Sequence, residues 1–259
     1  MPDLRAALKL IAFALLVVAI LPTQSLLLLM KWESAAARWG QLWHRAVCGV
    51  LGIEVVVEGQ PVDDRLTVYA GNHLSYLDIP VVGSVVHGSF IAKREMRGWP
   101  VFGWLAMLQR TVFISRDRRD AAQVMTQIDA MLEQGRNLIV FPEGTSSAGE
   151  QVLPFKSSLF SVLGPHLDKG LKIQPFTIDL RAVDGCSANK LADRDAYAYY
   201  RDMTLAPHLW AFMRGKGAQL RLVFHPPLAL SQNSDRKQIA VLAHARVASA
   251  LEQSQFDGG

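Results

Sequence analysis

The sequence predicts an α/β fold with a mostly parallel central sheet flanked by helices, preceded by an N-terminal two-helix segment whose apolarity marks it as membrane-associated. Three observations predict it. From residue 53 onward short β-rich runs alternate with helical patterns, the rhythm of strand–helix–strand units. Two of those runs, 111–115 and 137–141, are joined by one helical stretch, so a parallel pair with a right-handed crossover is expected. The apolar excess of the chain is concentrated near its start, which separates residues 1–51, a membrane anchor with an interfacial helix, from an α/β domain over 52–259.

Residues 8–21 are apolar apart from Lys9, and 26–30 continue the run after Pro22-Thr23-Gln24-Ser25. A signal peptide, a spanning helix, and a helix turned back within one leaflet at the Pro22 break all fit this pattern. The absence of a small-x-small cleavage site favours an uncleaved anchor. Over 31–50, Trp32, Ala36, Trp39, Trp43, Val47 and Val50 form one helical stripe, and Lys31, Arg38 and Arg45 lie on a flank of the opposite face. Tryptophans opposite cations describe a helix lying among lipid headgroups, or else an amphipathic helix packed on its own domain.

Strands follow at 53–57 and 66–70, then a helix over 81–87 and a strand at 89–93. Residues 97–109 are an apolar segment rich in tryptophan. A helix over 117–134 buries Val124, Ile128 and Met131 and stops at Gly135. Residues 172–180 read as a strand whose Pro175 suggests an edge, a bulge or a close approach to ligand. Residues 184–201 read as a polar loop with a short helix, 219–225 as a strand, and 234–253 as a helix with Ile239, Leu242 and Leu251 among its apolar positions.

Composition narrows the function classes. Half of the 259 residues are apolar, mean hydropathy is +0.16, net charge is +4 and the pI about 9.2. That mild basic bias suits an anionic membrane surface. Nucleic-acid binding lacks a long Lys/Arg run or basic residues interleaved with aromatics. Cys48 and Cys186 fit no metal-ligand spacing and no disulfide framework. No serine-hydrolase elbow, phosphate loop or His-Glu-x-x-His is present.

The chemistry centres on His73 and Asp78. The 66–70 strand ends at Gly71-Asn72, His73 follows at once, and Asp78 falls in the first turn of the next helix, where Pro80 is tolerated. An imidazole changes charge near neutral pH, and a carboxylate facing it fixes its tautomer, the minimum for an oriented general base. The parallel pair puts Arg116 and Glu143 at the same carboxyl edge of the sheet, the usual location of a ligand site. Taken singly, a turn histidine, a surface arginine and a solvated loop glutamate are ordinary features.

Together the motifs resemble the glycerolipid acyltransferase family of the 1-acyl-sn-glycerol-3-phosphate acyltransferase type. Motif one is Asn72-His73-Leu74-Ser75-Tyr76-Leu77-Asp78 and motif two is Val112-Phe113-Ile114-Ser115-Arg116. Motif three is Phe141-Pro142-Glu143-Gly144-Thr145, and a looser fourth is Ile173-Gln174-Pro175-Phe176-Thr177-Ile178. The resemblance implies direct transfer of an acyl group from acyl-CoA or acyl carrier protein to a lysolipid hydroxyl, with no cofactor and no metal. It implies His73 and Asp78 as catalytic residues, and Arg116, Glu143, Gly144 and Thr145 as acceptor-binding, with Asn72, Ser75 and Pro175 supporting. It also implies a place at the cytoplasmic face of a bacterial inner membrane, among membrane lipids.

Two departures matter. Ser146 and Ser147 follow Gly144-Thr145 where the family often has arginine, and Arg110 stands where it often has glycine. Arg110 is therefore expected to join the headgroup site. The best acceptor is 1-acyl-sn-glycerol-3-phosphate, giving phosphatidic acid. Lyso-ornithine lipid, with a carboxylate and an amine, is the alternative, since a phosphomonoester favours several cations. Between 93 and 119 seven basic residues stand against two acidic ones, a surface suited to anionic lipid and an acidic thioester carrier. An acyl-thioester hydrolase and a non-catalytic lipid-binding protein are the rivals.

Overall fold

The structure, a computed structural model, describes the chain except residues 63–65, 116–120, 232–233 and 258–259, and except the side chains of 121 and 254–257. Strands β1 (Ile53–Glu58), β2 (Thr67–Gly71), β3 (Ser89–Lys93), β4 (Val112–Ile114), β5 (Leu138–Val140), β6 (Lys172–Val183) and β8 (Ala218–Phe224) form one sheet in the order β1-β8-β6-β2-β5-β3-β4, and β7 (Cys186–Ser187) pairs off β6. Strands β6, β2, β5, β3 and β4 are parallel, whereas β8 runs against β6 and β1 follows β8. The sheet is therefore mostly parallel, as expected. All five residues of β2 are buried, the mark of a strand covered on both faces.

Helix α5 (Ala121–Glu133) joins β4 to β5 and buries Val124, Ile128 and Met131, as the spacing requires. The expected 81–87 helix instead runs from Asp78 to Gly83 (α3), because Pro80 suits a first turn and the chain must then reach β3. The 97–109 segment is a 3₁₀ turn (Arg94–Gly98) followed by α4 (Phe102–Leu108). After the short α6 (Gly164–Leu167) and α7 (Leu191–Arg194), α8 (Leu205–Arg214) fills a stretch that the sequence reading left unassigned. The last helix, α9 (Arg236–Asp257), buries Ile239 and Leu251, but Leu242 is exposed and Ala243 and Val247 take the inner positions.

Pro175 sits on an inner strand, so the edge reading is overturned. Its carbonyl accepts the His225 N–H, but a proline returns no N–H to the His225 carbonyl. The buried Gln174 side chain supplies that donor instead, with Nε2 at 2.8 Å from His225 O.

The N-terminus is a helical hairpin of α1 (Pro2–Leu29) and α2 (Glu33–Leu51). α1 runs unbroken through Pro22, contrary to the expected break. Thr23 and Ser25 hydroxyls donate to the Ala19 and Leu21 carbonyls, and the Trp39 Nε1–H donates to Thr23 Oγ1, so polar side chains brace the turn around the proline. The tryptophan stripe is also corrected. Ala36 and Val47 are buried, Trp43 Nε1–H donates to the Leu16 carbonyl, and only Trp32 and Trp39 of that stripe stay exposed. The stripe is largely where α1 docks. α1 itself exposes a row of large apolar side chains: Leu4, Leu8, Ile11, Leu15, Val18 and Leu26. Among the described residues α1 alone is long and apolar enough to cross a membrane.

Candidate active site

Gly71 ends β2 because a Cβ there would stand 2.4 Å from the Phe176 ring. Asn72 then turns its side chain inward. Its amide donates to the Ile178 carbonyl and its oxygen accepts the Ile178 N–H, at 2.8 and 2.7 Å, in the manner of one more sheet residue. This sets His73 at the carboxyl edge, with its ring stacked on Phe141 at 4.2 Å and 11°.

His73 Nδ1–H donates to Asp78 Oδ2 at 2.8 Å. Asp78 is fully buried at the start of α3, and Oδ2 also accepts the Leu74 and Ser75 N–H groups at 2.7 and 2.9 Å. The Ser75 hydroxyl, fully buried too, accepts the Leu77 N–H and tightens the turn. A carboxylate in an apolar interior needs this many donors, because a buried polar oxygen left unpaired is costly. With Nδ1 committed to Asp78, Nε2 is the nitrogen left for a substrate proton, and the His73 side chain keeps 22% of its surface open.

Tyr197 completes the set. It is fully buried and its hydroxyl donates to Asp78 Oδ1 at 2.9 Å. Burial, and then the Asp78 charge, push its phenol well above the usual range, so it stays a donor. It lies in the stretch read from sequence as a polar loop, 119 residues from its partner, and no local signal marks it. The neighbouring Tyr199 backbone ties two motifs together: its N–H reaches the Leu74 carbonyl and its carbonyl accepts the Ser146 hydroxyl.

The loop after β5 grips His73 from both sides. The His73 N–H donates to Glu143 Oε1 at 3.2 Å, and the Ser147 N–H donates to the His73 carbonyl at 3.0 Å. Glu143 is only 3% exposed, and its Oε2 has no partner among the described residues. Burial pushes its carboxyl up to about 8, against the pull of the His73 and Leu153 N–H groups, with the Asp78 charge adding to the rise. Gly144 (φ +69°) and Thr145 are exposed, and the Lys156 ammonium lies over Gly144, where a Cβ would approach Nζ to 2.4 Å. Lys156 is a cation at this loop that the sequence reading missed.

The remaining predicted residues divide. Pro175 lies beside Ala70 on β6, one step from the Gly71–Phe176 contact. Arg116 lies outside the described residues. Lys93 ends β3 at the carboxyl edge. Arg110 precedes β4 and so lies at the opposite, amino-terminal edge, where its guanidinium forks onto Glu33 at 2.6 and 2.7 Å. The structure does not bring Arg110 to His73, which corrects the expectation of a headgroup contact. Away from the site, Asp129, Glu133 and His166 approach one another, but Lys169 already pairs with Glu133.

Behind motif one an apolar pocket of about 840 Å³ opens between the hairpin and the sheet, lined among others by Phe13, Trp43, Leu77, Phe90, Phe102 and Leu209. Tyr76 and Leu77 belong both to this wall and to the turn between His73 and Asp78, so the pocket adjoins the base.

Comparison with known proteins identifies the family. The sequence model of the family described as Acyltransferase matches residues 53–179. The chain is 37% identical to a lyso-ornithine lipid O-acyltransferase of Rhodobacter capsulatus, over 81% of its own length and 74% of that protein's. With the lyso-ornithine lipid O-acyltransferase of Brucella abortus it shares 32%, over 97% and 95%. It is 33% identical to the 1-acyl-sn-glycerol-3-phosphate acyltransferase of Neisseria meningitidis, over 72% and 69%. The crystal structure of a 1-acyl-sn-glycerophosphate acyltransferase from Thermotoga maritima superposes with a TM-score of 0.67 over 98% of both chains at 22% identity, a likeness of fold.

Proposed function

The chain belongs to the acyltransferase family, and on that premise we propose how its site moves a fatty acyl group onto a lysolipid in membrane lipid biosynthesis. His73 Nε2 takes the proton of the lysolipid hydroxyl as that oxygen attacks the thioester carbonyl. The C–O bond forms, the C–S bond breaks, and the imidazolium returns its proton to the departing thiolate. Asp78 steadies the imidazolium between these steps. The acyl chain lies in the apolar pocket behind motif one, which puts its carbonyl at the His73 edge. The donor is acyl-CoA or acyl carrier protein, drawn by the basic surface around Lys93.

For the acceptor we favour lyso-ornithine lipid, with 1-acyl-sn-glycerol-3-phosphate as the second reading. The observation that carries this preference is Ser146. Its hydroxyl is spent on the Tyr199 carbonyl, so the position where the family often has arginine offers no charge to a headgroup. Lys156, over Gly144, is a single ammonium and matches one carboxylate better than a phosphomonoester. Arg116, Gly144 and Thr145 border the same headgroup, and Glu143 acts through the His73 backbone it holds.

The protein works at the cytoplasmic face of the membrane with the hairpin in one leaflet. α1 is held along its length, by Arg5 and Lys9 on the Arg214 and Gly215 carbonyls of the domain and by Leu51, Trp43 and Trp39 of α2, which supports the one-leaflet reading.

The test is purified full-length protein with acyl carrier protein or CoA thioesters and a parallel panel of lysolipids, read by lipid mass spectrometry and free thiol. We expect diacylated ornithine lipid at the highest kcat/KM, thiol release that depends on lysolipid, and at least a hundredfold loss in His73→Ala. Thiol release without any lysolipid would mean hydrolysis, and an active His73→Ala would sink the mechanism.

A further inference from the structure

The edge of the sheet opposite His73 carries a second pocket of about 660 Å³, which shares His44, Phe90 and Gln109 with the wall of the apolar one. It lies where the α1–α2 turn meets the starts of β3 and β5, and its walls include Gln24, Glu33, His44, Arg110 and Arg136. Arg110 is already forked onto Glu33, whereas the Arg136 guanidinium makes no ion pair or hydrogen bond among the described residues. Burial keeps His87, another wall residue, below its usual range and neutral. Two arginines against one glutamate leave the pocket with one net positive charge.

Two buried polar groups of its wall also lack partners. Gln24 is 7% exposed and its Oε1 accepts nothing. His44 is 4% exposed; its Nε2 meets the Gln109 amide and its Nδ1 has no partner among the described residues. Two unpartnered polar atoms in one wall call for a polar ligand, since each costs free energy while unpaired. The lip supplies the setting: Leu29, Met30 and Trp32, at the hairpin turn beside the pocket, are large, apolar and exposed.

We propose that this pocket holds the headgroup of a bilayer phospholipid, its phosphodiester against Arg136 and Arg110 and its hydroxyl or ammonium toward Gln24. A phosphodiester carries one negative charge and matches the net charge of the pocket; a phosphomonoester or free phosphate dianion does not. The lipid's acyl chains follow the apolar lip into the leaflet. The site would fasten the hairpin turn to the membrane and fix how the domain sits on it. It needs membrane association only, and Arg136 and Gln24, on which it is tested, line this pocket and not the apolar one.

Native mass spectrometry of the full chain tests this, with the protein released from detergent micelles loaded with phosphatidylglycerol, phosphatidylethanolamine or inorganic phosphate. We expect one phospholipid retained per chain, at least tenfold less in Arg136→Ala, and a smaller loss in Gln24→Leu. Transfer to a short-chain lysolipid should be unchanged in Arg136→Ala, which shows that the variant is folded. Equal lipid retention by the wild type and both variants overturns the proposal, as does retention of inorganic phosphate in place of lipid.

Discussion

Tyr197 and Glu143 define what single side chains contribute around His73. The Tyr197 hydroxyl is the donor on Asp78 Oδ1, while Oδ2 serves His73 and two backbone N–H groups. Tyr197→Phe leaves a buried carboxylate oxygen unpaired, at a cost of about 1–3 kcal/mol. The more concentrated charge then pulls harder on the imidazolium. The kcat should fall roughly tenfold with KM unchanged; an unchanged kcat would make Tyr197 merely a packing residue. Glu143 makes a stability prediction. Its folded carboxyl stands at about 8 against an ordinary 4.5, so between those values the native state binds a proton that the unfolded chain has lost. Its stabilising contribution is full below about 4.5 and is lost as pH rises through 8, with a slope of up to about 1.4 kcal/mol per pH unit for one proton. Glu143→Gln keeps an acceptor for the His73 N–H and should flatten this part of the Tm–pH curve; an unchanged slope would refute the assignment. His73, Asp78 and Glu143 were legible in the sequence because each ends or begins an element. Tyr197 was not, because its link to Asp78 exists only once the chain has folded back over motif one.

At the scale of elements, β6 shows how a proline is kept inside a sheet. Gln174 Nε2 serves the Gln60 and His225 carbonyls, and its Oε1 accepts the Val62 N–H, all at 2.8 Å. Gln174→Leu strands those groups and should lower unfolding stability by about 3 kcal/mol, read from urea midpoints. Pro175→Ala returns a backbone N–H to face His225, so the double variant should recover part of that loss; strict additivity would refute the substitution of one donor for the other. The strands from 53 to 141 were legible because their β-rich runs are short and bounded by Gly, Pro and Asn. The position of β6 was not, since a proline argues for an edge until a side chain elsewhere replaces its missing donor. Leu242 failed for a similar reason: small residues, Ala243 among them, face the sheet in α9, and apolar spacing alone does not weigh alanine against leucine.

At the scale of the molecule the question is how an apolar helix of 28 residues meets a bilayer. At 1.5 Å per residue α1 is about 42 Å long, enough to cross a hydrocarbon core of about 30 Å, and this is why the sequence could not choose among its readings. The one-leaflet proposal rests on what α1 touches. Near its start the Arg5 guanidinium and the Lys9 ammonium reach carbonyls of the domain, and beyond the middle Trp43 and Trp39 fasten Leu16 and Thr23. A spanning α1 would have to give up the Arg5 and Lys9 bonds to the domain, or carry α2 into the bilayer with it, and the Lys9 ammonium in hydrocarbon costs several kcal/mol. Lying flat, it keeps them all and gives Leu4, Leu8, Ile11, Leu15 and Val18 to the lipid. The one-leaflet proposal puts both ends of α1 in the same compartment. In a Cys186→Ser background, which removes the exposed thiol and leaves the buried Cys48, Asp3→Cys and Lys31→Cys should react with a membrane-impermeant maleimide from the same side of sealed vesicles. Labelling from opposite sides would establish a spanning helix, with the domain contacts of one half of α1 given up in the membrane.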